Sequence, residues 1–307
     1  MARLKDVALR AEVSLSVASR VLNNASGARV NPETRARVLS AAAELNYVPD
    51  HRARALRLSR AGAIALVVPE VNNAIFASLH AGVQEACRDR DTAVFLGQLA
   101  GPDEGDVRLA QLIGNGRVDG VILQRGEGYS DEQLRAAIAL DVPVVLFNSR
   151  LEGHAGSVAL DDGASVRVAL EHLRDLGHRS VGFIAGAARH DAAARRLDAF
   201  RQHAGDLGLA TRPEWIQAAG WEAPAGAVAM GRLLEVADRP TAILVASLNA
   251  AVGALSTALS HGVHVPSDLS LVTIHDTWIA HYTSPSITTV AMPMHAAGRA
   301  AGTMLLD

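Results

Sequence analysis

Cysteine is all but missing from this chain, which holds a single one, Cys87, in 307 residues. No intrachain disulfide can form, and the composition fits a reducing compartment, so a cytoplasmic location is expected. Aromatic residues make up only 4%, so any core has to be built from Ala, Val, Leu and Ile. No stretch approaches the ~20 apolar residues of a membrane span. The opening MARLKDVALRAEVS has no apolar run of the ~7–15 residues found in a signal peptide. Neither G-x-G-x-x-G, G-x-x-x-x-G-K-[ST] nor H-E-x-x-H occurs. The twelve histidines are scattered, and pairs such as His261 and His264 lack a Cys or acid partner set. No catalytic residue, cofactor, metal or membrane partner is therefore expected.

What is present is uneven. Residues 1–60 hold eleven Lys or Arg against five acids, a balance of +6, whereas the other 247 residues balance at −9. A basic head on an acidic body points to a polyanionic partner for the head. Within LKDVALRAEVSLSVASRVLNN, residues 4–24, Leu4, Val7, Ala8 and Ala11 recur at helical spacing. Ser14 is a good cap for a second helix over about 15–23, with Val17, Ala18, Val21 and Leu22 facing inward. A third helix opens at Asn31-Pro32, with a buried stripe of Val38, Leu39, Ala42 and Leu45. Two short helices and a brace are how a chain lays one helix in the DNA major groove. Leu15, Ser16 and Arg20 would then face bases, with Arg20 suited to guanine and Leu15 to a thymine methyl, while Ser14, Ser19 and Asn23 suit phosphates. A packing hairpin with no DNA role shares this pattern.

From Gly62 the pattern changes. AIALVVPEV is a continuous apolar run, as in a strand covered on both faces. Strand-like runs over about 63–69, 93–97, 119–123, 143–148, 181–185, 214–218, 242–246 and 270–274 alternate with helical ones. The alternation predicts an α/β core with parallel sheets. It is twice the length of one such sheet, so two lobes with a cleft between them are expected.

In chain order, LKDVALRAEVSLSVASRVLNN, VNPETRARVLSAAAELNYVPDHRARALR, AIALVVPEVNNAIF, RVDGVIL, PVVLFNSR, EHLRDLGHRSVGFIAG, RRLDAFR, VHVPSDLSLVTIHD and PSITTVAMP resemble the LacI/GalR (lactose-repressor) family of bacterial transcription regulators. The resemblance covers essentially the whole chain. It implies a helix-turn-helix head over 1–46, a hinge over 47–60 with a hinge helix at 50–58, and a periplasmic-binding-protein-like core over 61–307. The lobes would be about 61–157 with 286–307, and 158–285. It places Leu56 as the wedge in the minor groove, with Arg57 beside it, in keeping with how minor-groove benders work. It implies a homodimer on a pseudo-palindromic operator, tuned by a small effector in the cleft. No leucine-heptad stretch closes the sequence, so a dimer rather than a tetramer is expected.

The resemblance also places effector contacts at Asn73, Asn148, Arg196 and Trp221. Asn73 and Asn148 would serve equally well in turns, Arg196 in a lobe salt bridge and Trp221 in packing. At two positions the family's usual acids are replaced, giving Ser247-Leu248 and His275. These replacements predict a neutral or basic pocket in which Arg196 clamps a small anion, a carboxylate or sugar acid. Glu12 stands where the family usually has Gly, so a positive φ there would be strained. The family usually continues beyond AGTMLLD through a returning strand, so the second lobe is expected to lack an edge element.

Overall fold

The computed structural model describes residues 2–22, 30–48, 60–99, 116–139 and 142–307. Asn23, the hinge helix expected over 50–58, and with it Leu56 and Arg57, lie outside the described residues. The chain divides into two compact units, Met1–Ala61 and Gly62–Asp307.

The first unit is built on α1 (Leu4–Arg10), α2 (Leu15–Leu22) and α3 (Pro32–Glu44). Each start has a local cause. The Arg3 backbone N–H donates to Asp6 Oδ2 (2.8 Å), Ser14 Oγ accepts from Val17 N (3.3 Å), and Asn31 Oδ1 accepts from Glu33 N (3.0 Å) ahead of Pro32. Val7, Ala8, Ala11, Ala18, Val21, Val38, Ala41 and Ala42 form the core. Leu39, expected inside, is 48% exposed. The inner face of α3 runs Val38, Ala41, Ala42 and Leu45, and Leu39 is turned about 100° from it. Glu12, in the turn between α1 and α2, has φ 54°.

The second unit has two five-stranded parallel sheets. The first joins β1 (Ala63–Val68), β2 (Ala93–Gln98), β3 (Val121–Leu123), β4 (Val144–Phe147) and β5 (Ser157–Val158) in the order β2-β1-β3-β4-β5. The second joins β6 (Val181–Ala185), β7 (Ile216–Ala218), β8 (Ala242–Val245), β9 (Ser270–Ile274) and β10 (Thr288–Val290) in the order β10-β9-β8-β6-β7. Counted within each lobe the order is the same, so the second sheet is not one strand short of the first. Eight helices are described here: α4 (Ile75–Arg88), α5 (Asp131–Ile138), α6 (Asp162–Asp175), α7 (Asp191–Asp206), α8 (Ala223–Leu234), α9 (Leu248–Ser260), α10 (Trp278–Tyr282) and α11 (Met294–Leu306).

Every residue of β1 and β6 is buried, as their unbroken apolar runs require. β5 and β10 escaped sequence reading because two or three residues carry no period. β7 starts at Ile216 rather than 214 because Pro213–Trp215 forms a 3-10 turn. β10 pairs with β9, Thr288 opposite Val272. The second sheet thus extends past the return at 286 expected from the sequence, and the chain crosses back only between β10 and α11. There α11 packs on α4 so closely that a Cβ at Gly82 would lie 2.0 Å from His295 O, and one at Gly298 2.1 Å from Leu79 O.

Candidate functional site

In the head, α2 presents one apolar and one polar face. Ala18 and Val21 are buried, whereas Ser14, Ser16 and Arg20 are exposed and Leu15 is 53% exposed. Ser14 Oγ lies 3.0 Å from Ser16 Oγ, and Ser19 is half-buried. The structure thus leaves Ser14 exposed ahead of α2, Leu15 and Ser16 exposed in its first turn, and Arg20 exposed in its last turn. An exposed leucine is costly to solvate and suits a thymine methyl, and an exposed arginine suits a base edge.

The core unit encloses a cavity of about 390 Å³ between its lobes, in the range of small-molecule sites. Its walls come from segments that follow the carboxyl ends of strands in both sheets, as open parallel sheets dictate. The first lobe contributes Glu70 and Asn73 after β1, Gln124 and Glu127 after β3, and Asn148 after β4; the second contributes His190, Arg196, Trp221, Glu222 and His275. Asn73 Oδ1 accepts from Ile75 N (3.3 Å) and so also starts α4. Asn148 holds φ 47° and His275 φ 79°, conformations that side chains other than Gly adopt at a cost.

Arg196 is the hub. Its Nε donates to Asp162 Oδ1 (2.7 Å), Nη1 to the Ala246 carbonyl, and Nη2 to His275 Nε2 (3.0 Å) and Met292 Sδ (3.5 Å). Asp162, buried at the start of α6, also accepts from Arg195 Nε (2.8 Å). Burial pushes the Arg196 guanidinium down in pKa, and the Asp162 carboxylate opposes the shift. His275 is held well below its ordinary value by burial and then by the charge of Arg196. Its ring is therefore neutral, accepts at Nε2 and carries its proton on Nδ1. His190 is lowered to about 4, first by burial and then by Arg196 and Arg195 against Asp191 and Asp162.

These contacts bear on the expected neutral or basic pocket with Arg196 as an anion clamp. Every nitrogen of Arg196 is engaged by protein, and His275 is not a cation. Among the described residues, the charged side chains lining the wall besides Arg196 are three carboxylates, Glu70, Glu127 and Glu222. Ser247 is not in the wall. Its Oγ caps α9 by accepting from Ala250 N (3.3 Å) and donates to Trp221 O (2.8 Å), so it anchors the loop that carries the indole. Trp221 lies over Arg196 (5.6 Å to the ring centroid), meets His190 edge-on (4.9 Å) and seats against Gly186, where a Cβ would come within 2.5 Å of the ring.

Sequence reasoning missed Asp162, His190, Gln124 and the three glutamates. One signal was available: an arginine fully buried among apolar strands needs a carboxylate, and VALDDGAS offers two. The lobes also touch directly. Arg195 Nη2 donates to Asn148 Oδ1 (2.6 Å), and Arg125 pairs with Asp191 (3.4 Å). Among the described residues no group of three or more His, Cys, Asp or Glu is arranged to hold a metal, and no helix is long and apolar enough to cross a membrane.

Comparison with known proteins agrees with this architecture. Residues 3–50 match the lacI family of bacterial regulatory proteins, and residues 170–307 match the periplasmic binding protein-like domain. The ribose operon repressor of Haemophilus influenzae is 31% identical over 100% of this chain and 92% of its own length. A LacI family transcriptional regulator from Mycobacterium smegmatis is 46% identical and superposes with TM-score 0.75 over 79% of this chain and 89% of that one. The lac repressor dimer bound to operator and the anti-inducer ONPF is 25% identical, with TM-score 0.83 over 99% and 92%. Full-length identity to a named repressor, a helix-turn-helix head and a two-lobed core with a cavity at its strand ends together place this chain in the LacI family of bacterial transcriptional regulators.

Proposed function

We propose that this protein is a cytoplasmic repressor that binds a pseudo-palindromic operator as a homodimer, with an effector in the interlobe cavity changing its affinity for DNA. The observation that carries the reading is α2, which buries Ala18 and Val21 and leaves Leu15 and Ser16 open in its first turn and Arg20 in its last. Ser14, Ser19 and Asn23 would hold phosphates, and Leu56 and Arg57 would enter the minor groove. The lac repressor in the comparison is a dimer on its operator. Here Trp278 and Tyr282, one turn apart on α10, are 67% and 83% exposed, as befits aromatic anchors covered by a second copy. Asn73, Asn148 and Trp221 would meet the effector, with Arg196 and His275 forming the floor that fixes the indole.

The test is selection of bound duplexes from a random pool with the full chain at near-physiological salt. Recovery of a pseudo-palindrome with a flexible pyrimidine–purine step at its centre supports the reading, and recovery of nothing specific defeats it. On the recovered site, Arg20→Ala is expected to cost roughly 1–3 kcal/mol and to relax preference at one base position only. Titrations against single-base variants of the site check this.

A further inference from the structure

We propose that the effector is a hydroxylated organic cation, of the amino-sugar or amino-cyclitol class, with its ammonium group held between Glu70 of the first lobe and Glu222 of the second. The proposal rests on the cavity being the effector site. It begins with charge. Asp162 lies against both Arg195 and Arg196, and the donors of Arg196 end on Asp162, Ala246, His275 and Met292. An anion entering the cavity would find at most one N–H of Arg196, on Nη1, outside these four contacts. Glu70, Glu127 and Glu222 meanwhile leave the shell with a surplus of carboxylate.

The arrangement of that surplus is informative. Glu70 follows β1 and Glu222 precedes α8, so the two carboxylates come from opposite sides of the cleft. Glu222 is pushed up in pKa by burial and then by the charge of Glu70, and only its hydrogen bond from Asn249 Nδ2 (3.4 Å) works the other way. One lobe's charge is thus set against the other's across the cleft. A cation between them turns that repulsion into two attractions, and does so most strongly when the lobes are closed.

A second, independent observation concerns hydrogen bonds. Gln124 is only 7% exposed and lines the cavity, and its Oε1 is buried with no partner. Trp221 Nε1, also buried in the wall, has none either. Buried polar atoms are nearly always satisfied, so both are places for a ligand. Gln124 Oε1 and the carboxylates call for donors, and Trp221 Nε1 calls for an acceptor. The complementary molecule is rich in N–H and O–H and has an oxygen for the indole. A neutral polyol would meet the hydrogen bonds but leave the two carboxylates opposed. An acid would add to them.

The test uses the full chain and three matched sets of probes: amino, neutral and acid forms of the same hexoses, pentoses and cyclitols, such as glucosamine, glucose and glucuronate. Thermal midpoint and titration calorimetry read binding without DNA. The expected result is that an amine binds at least tenfold more tightly than its neutral counterpart, and the acid not at all. Glu70→Gln and Glu222→Gln should each bring the amine-to-neutral ratio down towards one. The proposal is overturned if no amine binds, if a neutral or acid form binds better, or if the preference survives both substitutions. Failure to select any operator is a separate result and overturns the regulator reading instead.

Discussion

Glu12 and Asp162 show how single positions carry cost and compensation. Glu12 occupies the left-handed region, φ 54°, which costs a residue with a Cβ roughly 1–2 kcal/mol. Glycine avoids that strain but loses more chain entropy on folding. Glu12→Gly is therefore expected to stabilise the head by about 0.5–1 kcal/mol, seen as a higher urea midpoint for its unfolding. Asp162 compensates two guanidiniums, one of them fully buried. Asp162→Asn strands that charge and should destabilise the core by about 3–5 kcal/mol. A loss under 1 kcal/mol in urea unfolding would mean that Arg196 draws its stability from its other partners. Loss of effector response in Arg196→Ala, expected from the sequence for a clamp, is expected from the structure because the floor under Trp221 would collapse. The arginine was legible in RRLDAF, but its counter-charge only through the argument that a buried guanidinium needs a carboxylate. Asp162 is 34 residues away, and Asp-Asp reads locally as a loop and a helix start.

At the level of elements, long apolar runs and capped helices were readable, and short pieces were not. β1 and β6 declare themselves because both faces are covered, and α3 because Asn31 and Pro32 announce it. β5 and β10 exist only through pairing with β4 and β9, which no local pattern encodes. The contact of α4 with α11 is likewise long-range, and it depends on residues with no side chain. Gly82→Ala would push a methyl into the His295 carbonyl and is expected to cost at least ~1–3 kcal/mol by forcing the helices apart. Gly231, inside α8, has nothing within 4 Å of its would-be Cβ, so Gly231→Ala should instead gain up to about 1 kcal/mol from helix propensity. Thermal midpoints of the two variants should move in opposite directions.

For the molecule as a whole, the two neutral histidines tie stability to pH. His190 titrates at about 4 in the folded chain against ~6.5 when unfolded, and His275 is also shifted well down. Between these values the unfolded state binds protons that the folded state refuses, so stability falls on acidification. The slope is about 1.4 kcal/mol per pH unit for each histidine. Glu222, raised in pKa, opposes this above its ordinary carboxylate value, where the folded state holds a proton that the unfolded state has lost. Urea midpoints at pH 7, 6 and 5 should decrease steadily, and a flat profile would show that the two rings titrate normally.

The return of α11 to the first lobe sets the order of events on the ribosome. The first lobe's core needs Met294, Ala297, Ala301 and Leu305, which are translated after the whole of the second lobe. The second lobe, from α6 through β10 to Met292, draws its core from one continuous stretch of chain. The later-made half therefore closes on local chain, while the β1–β5 segments wait for α11 with the apolar face of α4 uncovered. That interval is when the nascent chain is most in need of a chaperone.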